Sequence, residues 1–503
     1  MTKQAAHWTR RGFLGAGAAG LAGTLAPTVA CAAPPARGQS PSGDASRPRP
    51  SPAQLAWQRE QLAMFVHITV NTFTDREWGD GSEPPSIFDP RKLDARQWAR
   101  TAKECGFRSM ILTAKHHDGF CLWPTKTTRH SVASSPWRGG KGDLVGEFAD
   151  ACRAEGLGMG LYLSPWDRNA RIYGEGKAYD DFYIEQLTEL LTGYGPVVEV
   201  WFDGANGEGP GGKRQAYDWA RIHRTVRELQ PGAVMFSDAG PDVRWIGNET
   251  GSAGSTCWSS VDPARVPRAG ADDPWTGEAL QQGDPYGTTW RPGETDVSIR
   301  PGWFWHAEQD AKVRSADNLF GLYFTSVGRN SKLLLNVPPT RDGLFHERDV
   351  ESLRGFAQLR ETMLATDHAA GSDLRASAAP GDAPNVLSDD PSKSWTPGGD
   401  ARSGWLELEF PQAAEFDVIR LEEAIEHGQH IANYRVEVDE GSGWRPLAWG
   451  TTIGHCKLDR VPPTRARRLR VVVEFAYATP RLARIALHRS PTGAWKRPDY
   501  HGE

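Results

Sequence analysis

Ser109-Met110-Ile111-Leu112-Thr113-Ala114 is followed at once by Lys115-His116-His117-Asp118, an apolar run that ends in four ionisable side chains. A short run of this kind, rich in residues that pack on both faces, reads as a strand of a parallel sheet buried on both sides. The same form recurs outward from it, with expected strands over 64–70, 158–163, 197–202, 233–237 and 332–337. Helix-spaced stretches lie between them over 95–104, 144–155, 181–191 and 216–229. Strand and helix in alternation predict β/α units, and six clear strands call for two more to close an eight-stranded barrel. Residues 255–258 and 302–306 are the expected completing pair. The fold class is therefore α/β, a (β/α)8 TIM-like barrel over 53–368.

Reactive side chains fall at the ends of these strands. His67 lies near the end of the first, His116 and His117 follow the second, Tyr162 closes the third, and Asp203 follows the fourth. In such a barrel the carboxyl ends of the strands converge on one face, where active sites sit. A metal centre of His67, His116, His117 and Asp118 has little support, because neighbouring strand residues point to opposite faces and no H-x-H or H-E-x-x-H pattern is present. No metal and no cofactor is expected. Two carboxylates acting on a glycosidic bond fit better; a retaining mechanism needs a nucleophile and a proton donor about 5 to 5.5 Å apart. Asp203, at the end of Val200-Trp201-Phe202 and before a Gly204 that leaves room for a ligand, is the candidate nucleophile. For the acid/base, spacing leaves Glu249 in competition with Glu199, Glu208, Asp238 and Asp242; Glu199 is the weakest rival, since alternation places it deeper in the barrel.

Met64-Phe65-Val66-His67, Ala114-Lys115-His116-His117-Asp118-Gly119-Phe120, Leu161-Tyr162-Leu163-Ser164-Pro165-Trp166 and Glu199-Val200-Trp201-Phe202-Asp203-Gly204, in this order, resemble the α-L-fucosidases of glycoside hydrolase family 29. The resemblance spans nearly all of 57–360 and implies a retaining exo-hydrolase with Asp203 as nucleophile. Asn71-Thr72-Phe73-Thr74-Asp75-Arg76-Glu77-Trp78-Gly79-Asp80-Gly81 resembles the branch that prefers α-1,3- and α-1,4-linked fucose on branched glycans, whose acid/base lies in a Gly-Asn-Glu loop, here Gly247-Asn248-Glu249. It further implies that His67, Glu77, Trp78, His116, His117, Tyr162 and Trp201 line the sugar site. Arg244, Trp303 and Trp305 match less closely. One departure is His67-Ile68-Thr69, where the family carries His-Trp-Gly. The expected partner is a fucosylated oligosaccharide or glycoconjugate. Another retaining exo-glycosidase on the same barrel, or a sugar-binding protein without turnover, is the alternative; the presence of both carboxylates argues against the latter.

The rest of the chain sets the context. Thr9-Arg10-Arg11-Gly12-Phe13-Leu14 precedes a weakly hydrophobic Gly/Ala run, so 1–33 reads as a twin-arginine export signal and 34–52 as a Pro/Ser-rich linker. A periplasmic or secreted location follows. Cys31 is a candidate for lipid anchoring, although Thr28 stands where a large aliphatic residue is expected. Gly15-Ala16-Gly17-Ala18-Ala19-Gly20 matches a dinucleotide fingerprint, but no strand precedes it. The run is too poor in Leu, Ile and Phe for a membrane span. A formal net charge of −5 over 503 residues gives no electrostatic reason to expect nucleic acid. Without Cys31 five cysteines remain, so at least one thiol stays unpaired within the chain. Twenty Trp with 54 Gly and 36 Pro suit aromatic platforms on loops. Beyond an Ala/Gly/Ser-rich linker at 369–384, short strands over 405–410, 416–422, 434–438 and 469–475 predict an all-β sandwich at 385–491, with a tail at 492–503. Ser388-Asp389-Asp390-Pro391-Ser392-Lys393-Ser394-Trp395 resembles discoidin-like domains, of jelly-roll form, some of which bind carbohydrate.

Overall fold

The computed structural model describes residues 47–266, 268–270 and 274–492, so the stretch expected to be an export signal (1–33), with Cys31, and the tail beyond Thr492 lie outside the described residues. Eight parallel strands close a barrel: Leu62–Val66, Ser109–Lys115, Gly158–Leu163, Glu199–Trp201, Val234–Ser237, Val243–Trp245, Gly293–Ser298 and Ser331–Asn336. The six clear strands of the sequence are all present. The completing pair is different from that expected: residues 243–245 and 293–298 supply it, whereas 255–258 and 302–306 are loop. The first strand is also shorter than read, because Thr69 caps a helix, Val70–Thr74, by accepting from the Asn71 N–H. Fifth and sixth strands are joined by only five residues and share just two register pairs, Phe236 with Val243 and Ser237 with Arg244.

Alternation sorts each strand's side chains. Ala63, Phe65, Ile111, Tyr162, Trp201, Phe236, Trp245 and Leu334 fill the barrel interior. Met64, Val66, Met110, Leu112 and Leu335 pack outward against the helices. A helix at Pro52–Glu60, capped by Ser51, closes the amino-terminal end of the barrel and inserts Trp57 among the interior residues. The interior also holds polar groups. Glu199 accepts from Trp57 Nε1 at 2.7 Å and lies 3.6 Å from Lys332 Nζ, while Glu294 accepts from Trp201 Nε1 at 3.0 Å. Burial raises both carboxyls above their ordinary range, Glu294 the further because the Glu199 charge adds to it.

A six-stranded antiparallel sheet follows, formed by Asp373–Ala376, Gly404–Glu423, Ile431–Asp439, Trp444–Gly450, Lys457–Ala476 and Leu482–His488. The long second strand breaks register between Glu409 and Ala414, where the sequence shows two strands instead of one. Its core includes Trp395, Leu408, Phe416, Val436, Val471 and Ile485. Asp373–Ala376, inside the stretch expected to be linker, is an edge strand paired with 406–409. The end of the first linker is likewise bound: Arg47 donates to the carbonyls of Gln429 (3.3 and 3.1 Å) and Pro285 (2.9 Å). Cys105, Cys121, Cys152, Cys257 and Cys456 are all buried free thiols. Among the described residues no helix is long and apolar enough to cross a membrane.

Candidate active site

The carboxyl ends of the first four strands bring His67, His116, His117, Tyr162 and Asp203 together. The His116 and His117 rings lie 4.1 Å apart at 35°, because the second strand ends at Lys115 and the backbone turns there. His67 is 5.7 Å from His116 and 6.0 Å from Tyr162 between ring centroids. Asp203 is the acidic centre of this cluster. Its Oδ2 accepts from the Tyr162 hydroxyl at 2.8 Å and its Oδ1 from the Ala205 N–H at 2.8 Å, with His117 Nε2 3.9 Å from Oδ2. A carboxylate anchored through both oxygens has its rotamer fixed at the barrel mouth.

Hydrogen-bond partners assign the ring tautomers. Asn336 Nδ2 spends both hydrogens on Ser298 Oγ and the Trp303 carbonyl, each at 2.9 Å, so its Oδ1 accepts from His67 Nδ1 at 2.9 Å. The Ser164 hydroxyl donates to the Trp166 carbonyl at 2.7 Å, so it accepts from His117 Nδ1 at 2.7 Å. His116 is reversed: Asn71 Nδ2 approaches its Nδ1 at 3.4 Å and makes that nitrogen the acceptor. In the neutral rings Nε2 is therefore an acceptor on His67 and His117 and a donor on His116. That mixture suits hydroxyl groups, which both give and take a hydrogen bond.

Aromatic rings wall the cluster. Trp78 stands edge-on to His117 and to Trp166, each at 5.7 Å. Trp303 lies 5.5 Å from His67, and Phe304 packs 5.5 Å from His67 and 5.1 Å from His116. Glu77 binds the loop that carries both: its Oε2 accepts from the Trp303 N–H at 2.7 Å. Trp201 lies beneath, stacked on Phe236 at 4.3 Å and 9°, and is 1% exposed, so it is the floor of the cluster.

Two expected residues are elsewhere. Arg244 points out of the barrel, since alternation turns Val243 and Trp245 inward; its guanidinium donates to the carbonyls of Leu280 and Arg291 and to Cys257 Sγ. Trp305 turns away to donate from Nε1 to Asp310 Oδ1 at 3.1 Å. Gly204 is also explained differently. A Cβ there would come within 2.3 Å of Asp238 Oδ2, so the space serves that carboxylate, which accepts from the Gly270 N–H at 2.8 Å.

Glu249 lies half-buried in the loop after the sixth strand, between Gly247 and Gly251, both at positive φ. Asn248 shapes that loop by donating to the Ser252 carbonyl and accepting from the Thr250 N–H. Among its rivals, Asp242 is held by Arg227 through both oxygens (2.7 and 2.6 Å) at the opposite end of the sixth strand, and Glu199 is sealed in the interior. Among the described residues no group of three or more His, Cys, Asp or Glu side chains could hold a metal ion. Sequence reasoning missed Phe304 and His306; the carboxylates that hold His306 lie more than 200 positions away, beyond the reach of local pattern.

Comparison with known proteins agrees with this fold. The family model described as alpha-L-fucosidase matches residues 53–361. Alpha-L-fucosidase 1 of Arabidopsis thaliana is 45% identical over 450 residues, covering 88% of this chain and 87% of that protein. The crystal structure of SpGH29 matches with a TM-score of 0.83 at 40% identity, over 90% of this chain and all of the other. A Ruminococcus gnavus GH29 fucosidase in complex with fucose matches with a TM-score of 0.80 at 32% identity, over 90% and 97%. The chain belongs to the alpha-L-fucosidase family of glycoside hydrolases, family 29.

Proposed function

We propose that this glycosidase is an exported, retaining α-L-fucosidase that removes terminal α-1,3/1,4-linked fucose from branched glycans. Asp203 is the nucleophile and Glu249 the acid/base. The observation that carries the reading is the anchoring of Asp203 by Tyr162 and Ala205 in the middle of a histidine cluster. In the first displacement an Asp203 oxygen bonds to the anomeric carbon while protonated Glu249 gives its proton to the departing glycosidic oxygen. In the second, Glu249 takes a proton from water, whose oxygen attacks the same carbon and releases Asp203. Neither displacement calls for a cofactor.

His67, His116, His117 and Glu77 contact the sugar hydroxyls, and Trp78 and Trp303 give the apolar surface that the C5 methyl group of a 6-deoxy sugar favours. Trp201 supports them from below. Preference for branched linkages rests on the resemblance of 71–81, and export on the twin arginine at Arg10-Arg11. Fucose release from two oligosaccharides, one ending in α-1,2-linked and one carrying α-1,3/1,4-linked fucose, tests the substrate. Release from the branched glycan alone supports the reading, and release from neither by folded protein refutes it. NMR of the first-formed anomer tests retention.

A further inference from the structure

His306 is held by two carboxylates at once. Its Nδ1 lies 2.8 Å from Asp75 Oδ1 and its Nε2 2.6 Å from Glu77 Oε1. Two acceptors on the two ring nitrogens are both satisfied only when each nitrogen carries a hydrogen. Burial alone would lower the imidazole below its ordinary value; the hydrogen bonds to Glu77 and Asp75 outweigh it and raise the group above that value. No other charged group touches the ring among the contacts described; Arg341 approaches only the far side, 3.7 Å from Asp75 Oδ1.

What the ring holds matters. Glu77 Oε1 also faces the Phe304 N–H at 3.3 Å, and Oε2 takes the Trp303 N–H at 2.7 Å. The carboxylate is thus oriented by three donors from residues 303–306, and the same contacts bring Trp303 and Phe304 against His67. Gly302 is part of the fit, because a Cβ there would lie 2.1 Å from Glu77 Oε1. Asp75, in the left-handed conformation that ends the helix Val70–Thr74, supplies the outer support.

We infer that Asp75 and His306 are positioning residues for the sugar site: acting through Glu77, they fix both the carboxylate that receives a sugar hydroxyl and the Trp303 ring beside it. The inference rests on Glu77 as a sugar ligand. Neither residue touches the reacting atoms. Loss of the second ring proton would leave one carboxylate facing a lone pair, so the relay loosens on the alkaline side.

The test is kcat and KM for an aryl α-L-fucoside between pH 5 and 9, with fucose affinity by calorimetry and Tm for each protein. Wild type, Glu77→Gln, His306→Gln and Asp75→Asn are compared. His306→Gln should raise KM about tenfold at neutral pH with a smaller change in kcat. Wild-type KM should climb as pH rises, and the glutamine variant should lack that climb. Asp75→Asn, at a half-exposed position, should move KM the same way by less, and it decides the matter should His306→Gln not fold. Wild-type KM and pH profile in both variants, with Glu77→Gln impaired, would overturn the relay alone. Unchanged fucose affinity in Glu77→Gln would instead remove Glu77 from the sugar site, and the relay with it.

Discussion

The Tyr162 hydroxyl donates to Asp203 Oδ2 at 2.8 Å, across neighbouring strand ends of the barrel. Tyr162 is itself fixed by packing, with Trp201 at 5.0 Å and Phe65 at 5.9 Å. Replacing Tyr162 by Phe keeps the ring and removes the donor to Asp203 Oδ2, while the bond from the Ala205 N–H to Oδ1 stays. Kcat/KM should fall by about tenfold to a hundredfold, with Tm little changed. Asp203→Asn keeps the side chain's shape but not its nucleophilicity, and it should lower kcat at least about a thousandfold. Circular dichroism and Tm separate these outcomes from unfolding; an unfolded Asp203→Asn would make the residue structural.

Glu249 and Asp238 are told apart by leaving-group dependence. Glu249→Ala should slow substrates with poor leaving groups most, because only those need the proton, and azide should partly restore turnover of an activated aryl fucoside as the azide adduct. Asp238→Ala should show neither behaviour, since its carboxylate is engaged by the Gly270 N–H beside Gly204. The opposite pattern, with rescue only in Asp238→Ala, would move the acid/base to the fifth strand.

Strands such as 109–115 and 158–163 are legible because they are apolar runs buried on both faces. The sixth and seventh are not, for a definite reason. Val243–Trp245 is three residues long and carries an arginine, and Gly293–Ser298 turns Glu294 and Asp296 into the barrel, where Trp201 Nε1 donates to Glu294 Oε1 and Trp245 Nε1 to Asp296 Oδ1. A polar interior reverses the hydrophobic pattern by which a strand is recognised. Residues 302–306 look like strand for the converse reason: Trp303 and Phe304 are apolar and pack against His67 in a loop. Arg244, expected at the site only from the resemblance, points out of the barrel because Val243 and Trp245 on either side of it face inward.

Gly204→Ala should therefore act through Asp238. The added Cβ would sit 2.3 Å from Oδ2, and the carboxylate must move and weaken its bond to Gly270. A loss of about 1 to 3 kcal/mol is expected, together with reduced kcat, because Asp203 is the preceding residue. Chemical denaturation measures the first and a fucoside assay the second. A fully stable, fully active Gly204→Ala would show that the loop yields freely.

Asp118 gives a pH dependence of known sign. Burial pushes its carboxyl up to about 7, against the hydrogen bonds from the Phe120 N–H and the Thr69 hydroxyl. A raised carboxyl means that the folded state binds the proton more tightly than the unfolded chain. Its contribution is thus fully present below about pH 4 and is lost as pH rises toward 7. Asp118→Asn removes the titration, so the stability of wild type relative to the variant should fall between pH 4 and 7, by at most about 4 kcal/mol. Parallel curves for the two proteins would contradict a buried, titrating Asp118.

Asn330 joins the barrel to the antiparallel sheet. It has φ 61° just before the eighth strand. Its Nδ2 lies within reach of the Cys257 carbonyl (2.9 Å), Ser259 Oγ (3.2 Å) and Gln429 Oε1 (3.2 Å), and its Oδ1 accepts from the His455 N–H at 2.7 Å. One buried amide thereby serves the 257–259 loop of the barrel and two segments of the sheet. Asn330→Ala would strand several buried polar groups and place an alanine where the left-handed conformation is unfavourable, so a loss of about 2 to 4 kcal/mol is expected. Because the amide lies in the interface itself, the two units of the wild type should melt in one calorimetric transition. The variant should melt earlier, and where the interface yields first, its trace should divide in two. A single transition at the wild-type temperature would mean that the remaining contacts, such as Ser259 N–H to Gln429 at 2.7 Å, hold the units together without it.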